Sequence, residues 1–254
     1  MAKKKLPIPG EPPVLSRTAL EEFLKCPRCF YLHRRKGLKQ LSRIPLTLAV
    51  ATDALLKNEF DAIRGTDASH PVWDANQLHV RAFAHPDLET WRNNFKGLRV
   101  THAPTGATIF GAVDDLWQHR DTGELHIVDY KSTSKQGTPD LEGGFGAGYK
   151  RQIEIYQWLY RQAGFSVSPI GYFLYVNGSK EGGFYLEREG RESEGRMRFV
   201  TTLLAHEGNT DWVEDCITEA VACFQGEQLP ASANDCDTCR YVTERSVVTS
   251  CYDE

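Results

Sequence analysis

Asp114, Asp129 and Lys131 are the residues whose types and spacing could do chemistry, and all three fall in the stretch TIFGAVDDLWQHRDTGELHIVDYK, Thr108 to Lys131. The stretch reads as two β-strands, roughly Thr108 to Gln118 and Glu124 to Tyr130, joined by the turn signal Asp121-Thr122-Gly123. Acids stand where such strands normally carry apolar residues. Asp129 and Lys131 are two apart and therefore share a strand face. A hairpin can bring Asp114 beside them. Two carboxylates and an ammonium on one sheet face are costly to bury unpaired. A divalent metal would relieve the carboxylate repulsion, with the lysine holding a water beside it.

The elements around this hairpin supply further polar candidates. Tyr149 to Gln162, YKRQIEIYQWLYRQ, predicts a helix that puts Gln152 and Tyr156 on one face, with Gly164 to end it. Between hairpin and helix, STSKQGTPDLEGGFGAG is a polar, glycine-rich loop suited to a mobile rim, without the register of a phosphate-cradling motif. Cys26-Pro27-Arg28-Cys29 and Cys236-Asp237-Thr238-Cys239 form two CxxC pairs at opposite ends of the chain. Together they make an S₄ ligand set that suits either zinc or an iron–sulfur cluster. Either would close a very long loop. Cys216 and Cys223, seven apart on a predicted helix from Asp211 to Phe224, read as buried small hydrophobes.

Arg28, Arg34, Arg35, Lys36 and Lys39, with Lys25 and Arg43, crowd one short region containing Phe30, Tyr31 and His33. Such a run is either a solvated face or a phosphate-tracking strip with aromatics for stacking. The whole chain of 254 residues carries a net charge of −4 and 41% hydrophobic residues. That suffices for one good core and excludes a generally basic nucleic-acid coat. The basic Met1 to Lys5 leads into LPIPGEPP, which is no apolar signal region, and no stretch approaches a membrane span. A cytoplasmic protein is expected, in which paired cysteines favour metal over disulfides.

Residues 1–14 read as a disordered tail. Ser16 caps a helix with Ala19, Leu20, Phe23 and Leu24 at helical spacing. Pro45 to Arg64 predicts a second helix, with Leu48, Ala51, Leu55, Leu56, Phe60 and Ile63 available for its inner face. Residues 98–103 predict a strand, Trp91 to Phe95 a short helix, and Ile170 to Asn177 a buried strand partnered by Gly183 to Leu186. Arg198 to His206 predicts a further strand, and Arg188 to Arg198 an exposed segment.

The ordered set GxxD (Gly111 to Asp114), VDYKS (Val128 to Ser132) and QxxxY (Gln152 to Tyr156) resembles the PD-(D/E)xK nuclease superfamily. It is most similar to the RecB-like branch, which includes CRISPR-associated exonucleases with a cysteine-bound iron–sulfur cluster. SxTxLEEFLKCPRCFYL resembles the same branch. The resemblance implies a 4Fe–4S cluster held by one N-terminal and three C-terminal cysteines. This chain departs from that pattern: the third C-terminal cysteine would fall near Arg245 and is absent. Cys29 then stands as fourth ligand, with Cys251 as a substitute, and Zn²⁺ stays open. The branch places a metal-binding histidine on the helix where this chain has Asp53, which can ligate through oxygen. It gives Gln152 and Tyr156 a role in positioning DNA phosphate or the attacking water.

The expected architecture is α/β: a PD-(D/E)xK restriction-endonuclease-like core whose mixed central β-sheet is flanked by helices. Residues 15–254 form a single nuclease domain with a cysteine–metal cap built from 15–43 and 226–254. The expected reaction is phosphodiester hydrolysis with Mg²⁺ or Mn²⁺ held by Asp114, Asp129, Asp53 and the Tyr130 carbonyl. Lys131 would orient or deprotonate the water. The resemblance implies DNA as substrate, by exonucleolytic, single-stranded or end-processing cleavage, and protein partners in DNA repair, phage or CRISPR-type defence. Nothing in the residues excludes RNA, or a non-catalytic nucleic-acid-binding protein of the same fold.

Overall fold

The computed structural model describes residues 11–39, 46–183, 185 and 195–250. The chain divides into two compact units, Met1–Arg43 with Arg99–Gly111 and Asp211–Glu254, and Ile44–Leu98 with Ala112–Thr210. In chain order the strands are β1 (Val14–Ser16), β2 (Val80–Ala82), β3 (Leu98–Thr101), β4 (Thr108–Gly111), β5 (Asp115–His119), β6 (Leu125–Thr133), β7 (Ile170–Gly178) and β8 (Phe199–Glu207). The helices are α1 (Arg17–Lys25), α2 (Pro27–Phe30), α3 (Thr47–Ile63), α4 (Pro71–Ala75), α5 (Leu88–Trp91), α6 (Gly146–Gln162), α7 (Asp211–Gln225) and α8 (Asp237–Ser250), with a π-helical turn at Tyr31–Arg35. No helix among the described residues is long and apolar enough to cross a membrane.

The second of these units is a mixed five-stranded sheet in the order β2-β5-β6-β7-β8. β6 is central, antiparallel to β5 and parallel to β7. Parallel neighbours need a crossover, and α6 supplies it. The residues of β6 alternate between two environments, as a period of two requires. Val128 and Tyr130 join a core with Leu56 and Phe60 of α3, Trp73 of α4, Trp117, Tyr172 and Leu174. Asp129 and Lys131 face the other way, toward α6.

Two glycines fix where α6 sits. A Cβ at Gly146 would lie 2.0 Å from the Leu141 carbonyl oxygen, so only glycine lets the helix begin there, ahead of the Tyr149 start the periodicity suggests. A Cβ at Gly208 would lie 2.2 Å from the Gln157 amide oxygen, so the chain after β8 lies against α6.

The first unit carries the three-stranded sheet β1-β4-β3, in which β1 pairs parallel with β4. Ser16 caps α1 as its sequence predicts, accepting from the Ala19 N–H at 3.1 Å. Leu15, Ala19, Leu20, Phe23, Phe30 and Tyr31 pack inward with Val213, Ile217, Ala220 and Phe224 of α7.

Several boundaries differ from expectation. The first hairpin strand is broken: residues 112–114 separate β4 from β5, so Asp114 sits in the gap rather than within a strand. The second runs on to Thr133. Pro13 and Val14 are ordered within the expected tail, the Thr108 N–H donating to the Pro13 carbonyl, while residues 1–10 lie outside the described residues. The partner of β7 is β8, along its full length from Ile170 with Glu207 to Gly178 with Phe199. Of the Gly183 to Leu186 segment, only Gly183 and residue 185 are described, neither in a strand. Most of 188–198 also lies outside the described residues. The short helix near Trp91 is Leu88–Trp91, ending where Trp91 to Phe95 was expected to begin. The inner face of α3 is Thr52, Leu56 and Phe60; Leu48 and Leu55 are exposed. Thr52 takes the inward position because its hydroxyl meets the Ser132 hydroxyl of β6.

Candidate active site and cysteine centre

Asp129 is fully enclosed, with 1% of its side chain exposed, and its Oδ1 accepts from Gln152 Nε2 of α6 at 2.6 Å. Lys131 pairs with Oδ2 and reaches the Gln152 amide oxygen at 3.4 Å. That Oδ2 is buried, with the Lys131 ammonium as its charge partner. The Asp114 carboxyl beside Asp129 makes a pair of acids that a metal ion would neutralise. The Lys131 ammonium also lies over the Tyr149 ring, 4.2 Å from its centroid. Burial pulls the lysine's pKa down, but the Asp129 charge and contact outweigh it and hold it above the ordinary lysine value. Lys131 is thus protonated in this site, able to donate rather than to take a proton.

Asp114 enters from the gap between β4 and β5, its Oδ2 accepting from the Tyr130 N–H at 2.8 Å. Burial and then the Asp129 charge push its carboxyl up to about 7, against opposing pulls from Lys57 and Lys131. Asp53 on α3 adds to the repulsion. A divalent cation beside Asp114 and Asp129 would relieve this repulsion, in keeping with oxygen ligation of a hard ion. Lys57 stands among these acids, 2.9 Å from Asp53 Oδ2 and 3.9 Å from Asp114 Oδ1. Its only sequence signal was the four-residue spacing from Asp53. Tyr156 lies one turn after Gln152 on α6 and is 4% exposed.

Asp115, passed over in the sequence beside Asp114, is fully buried and holds this corner together. Its carboxylate accepts from Arg92 Nη2 at 2.8 Å, Arg64 Nη2 at 2.9 Å, the Tyr130 hydroxyl at 2.8 Å and the Leu116 N–H at 2.8 Å. A buried carboxylate is tolerated only when so completely paired. Tyr130 thereby touches both neighbouring acids, Asp114 through its backbone N–H and Asp115 through its hydroxyl.

In the first unit, Cys26, Cys29, Cys236 and Cys239 bring their sulfurs within 4.8 Å of one another. Sγ of Cys29 lies 3.6 Å from those of Cys236 and Cys239, and Cys26 Sγ lies 3.8 Å from Cys239. Burial raises the Cys26 thiol, but backbone hydrogen bonds at Ala233 and Cys29 bring it down to about 7. Burial and the neighbouring thiols drive Cys29 far up, and Cys239 up to about 11. Each of the four offers one sulfur to a single metal ion, whose binding would displace the thiol protons. Cys216 is buried in α7, and the Cys223 thiol approaches the Pro27 carbonyl at 3.8 Å. Cys251 lies outside the described residues.

The basic region is partly committed to structure. Arg28 Nε donates to the Pro230 carbonyl at 2.9 Å, and Arg34 Nε to Glu22 at 2.7 Å. Arg35 lies over the Phe224 ring and Lys36 over the Tyr31 ring. Lys39 is exposed, and Arg43 lies outside the described residues. Phe30 and Tyr31 are buried and His33 bonds Glu22, so the aromatics here serve packing rather than base stacking.

A family model described as the PD-(D/E)XK nuclease superfamily matches residues 40–243. The chain belongs to that superfamily. No curated protein matches it. Members of the PD-(D/E)XK superfamily are usually nucleases that use divalent metals, and membership supports a nuclease in general. The match spans Asp53, Asp114, Asp129, Lys131, Gln152 and Tyr156, and the second CxxC pair.

Proposed function

We propose that this PD-(D/E)XK protein is a metal-dependent nuclease of the RecB-like type that hydrolyses DNA, acting as a single-stranded or end-processing exonuclease. The observation that carries catalysis is the meeting of Asp129 and Lys131 under Gln152, with the Asp114 carboxyl raised by the Asp129 charge beside it. DNA and the exonucleolytic mode rest on the resemblance of GxxD, VDYKS and QxxxY alone.

Asp114, Asp129, Asp53 and the Tyr130 carbonyl would hold Mg²⁺ or Mn²⁺. When bound, the ion supplies charge stabilisation at the phosphoryl oxygens and a more acidic water. Lys131, a protonated donor, orients that water and offsets the charge that develops on the phosphoryl group. Gln152 fixes Asp129 and Lys131 relative to each other, and Tyr156 sets the helix one turn on. Lys36 and Lys39 are the basic-region residues we assign to phosphate contact. The test is an assay of the purified protein on single- and double-stranded DNA and RNA with Mg²⁺, Mn²⁺ or EDTA. Absence of cleavage with every polymer and metal would refute the reading.

Two outcomes arise from the acids. Asp53→Ala should raise the Mg²⁺ concentration for half-maximal cleavage about tenfold, one lost ligand at about 1.4 kcal/mol, with activity restored by raised Mn²⁺. An unchanged metal titration returns Asp53 to the helix surface. The second concerns pH. Asp114 has its carboxyl at about 7 without metal, so proton and metal compete for it. At limiting Mg²⁺, cleavage should rise with pH through about 7, and saturating Mg²⁺ should move that rise to lower pH. A rise that ignores Mg²⁺ concentration assigns the titration elsewhere.

For the cysteine centre we propose a single tetrahedral ion, Zn²⁺, in place of the 4Fe–4S cluster the resemblance implies. A metal at about 2.3 Å from each of four sulfurs sets them about 3.8 Å apart; three of the pairs lie at 3.6, 3.6 and 3.8 Å, and all lie within 4.8 Å. A four-iron cluster carries one thiolate on each iron, outside the cluster, and holds the sulfurs farther apart.

A further inference from the structure

Beyond Lys131 the catalytic face of the sheet continues into a cleft of 510 Å³. β6 and β7 run parallel, with Lys131 beside Tyr175 and Thr133 beside Asn177. In β8, Thr202 pairs with Tyr175 and Val200 with Asn177. Strand alternation puts Thr133, Asn177, Val200 and Thr202 on the face that carries Asp129 and Lys131. Asn177, Val200 and Thr202 line the cleft, together with loop 134–139 and residues 179–181. The rung of Thr133 and Asn177 lies two residues past that of Lys131, about 7 Å along the strands. That is close to one phosphate step of an extended single strand. The cleft also opens at the carboxyl ends of two parallel strands, where α/β sheets bind ligands.

Its chemistry suits a polyanion. Lys135, Lys180 and Arg198 line it against one lining carboxylate, Glu181, in a chain whose net charge is −4. Lys135 pairs with Asp140, and Arg198 meets Glu181 loosely at 3.5 Å with its side chain 71% exposed. Lys180 has no acidic partner among the described residues. Asn177 Nδ2 donates to the Lys135 carbonyl at 3.0 Å, which ties the loop to β7. Its Oδ1 is buried without a hydrogen-bond partner among the described residues, an acceptor that a base amino group or a sugar hydroxyl would satisfy once the side chain turns into the cleft.

We infer that this cleft is a subsite for the nucleotide adjoining the scissile phosphate, with Lys180 and Arg198 contacting the next phosphate and Asn177 the base or sugar. The inference rests on the nuclease reading above for what sits at Lys131.

The test is the double variant Lys180→Ala/Arg198→Ala in the full chain. Both residues are exposed, so folding is not at stake. Affinity for fluorescent single-stranded DNA and RNA oligonucleotides is read by anisotropy in EDTA across a salt series. Turnover of bis(p-nitrophenyl) phosphate, too short to reach the cleft, is read with Mn²⁺. We expect affinity to fall at least tenfold. The slope of log affinity against log salt should shrink by about 0.7, since both residues meet one phosphate. Turnover of the short diester should stay within about twofold of wild type. Unchanged affinity and slope overturn the subsite, as does an equal loss on the short diester, which would mean damage to the catalytic face. A wild type inert on the short diester and on oligonucleotides refutes catalysis instead. A reduced slope in the variant would then still keep the cleft as a nucleic-acid contact.

Discussion

Asp114→Asn is expected to abolish phosphodiester hydrolysis while making the metal-free protein more stable. The loss follows from removing one of the acids that would hold the ion. Several kcal/mol of metal stabilisation corresponds to about a thousandfold or more in rate. The gain follows from electrostatics. In the metal-free site Asp114 titrates at about 7 against an ordinary 3.8. A carboxyl raised in the folded state favours folding fully only below its unfolded pKa. That contribution is lost as pH rises from about 4 through 7. At pH 8 the penalty on wild type is therefore a few kcal/mol at most. Asparagine removes the charge and keeps an oxygen for the Tyr130 N–H. In EDTA at pH 8 the variant should melt several degrees above wild type, on the scale of about 2–4 °C per kcal/mol. Wild type should regain the difference when Mg²⁺ is added, whereas the variant should not. Asp129→Asn and Lys131→Ala should also silence cleavage. Full activity in any of the three, at matched purity, sinks the site.

Cys26→Ser is expected to release the cysteine-bound metal and lower the melting temperature by more than about 10 °C, since a structural ion contributes folding free energy on the order of 10 kcal/mol. Cys216→Ser and Cys223→Ser should leave the metal content at that of wild type. Elemental analysis of anaerobically purified protein should return about one zinc per chain and a colourless solution. A brown protein with four irons would overturn the single-ion assignment while keeping the same four ligands. Neither iron nor zinc would end the metal reading of the cysteines and leave the nuclease site untouched.

The parts of this molecule legible in its sequence are those fixed by short-range spacing. Asp129-x-Lys131, Gln152 and the Asp121-Thr122-Gly123 turn each declare their geometry within a few residues, and the hairpin and α6 follow. The two CxxC pairs are legible because four such thiols at opposite ends have few other uses. What the sequence hid depends on distant partners. The strand break that frees Asp114 is invisible in a run of Ile, Phe, Val, Leu and Trp, because both halves have strand character and only the two sheets distinguish them. Asp115 looked like a neighbour of the important acid until Arg64 and Arg92 were brought from other elements. Lys57 carried no sign beyond its spacing from Asp53. Apolar periodicity also misjudged α3, where Leu48 and Leu55 face out and Thr52 faces in to meet Ser132. Amphipathic counting cannot see a hydroxyl waiting on the opposite element.

The cysteine centre also sets a clock on biosynthesis. Its sulfurs come from residues 207 to 213 positions apart. At about 5–20 residues per second, a ribosome delivers the second pair roughly 10–40 s after the first. Throughout that interval Cys26 and Cys29 are half a ligand set, exposed to oxidants and to any passing ion. A prematurely terminated chain that lacks the second pair can never complete it. With the proposed ion as its closure, metal loading would certify that translation has passed Cys239, and a truncated product would be left to unfolding and proteolysis.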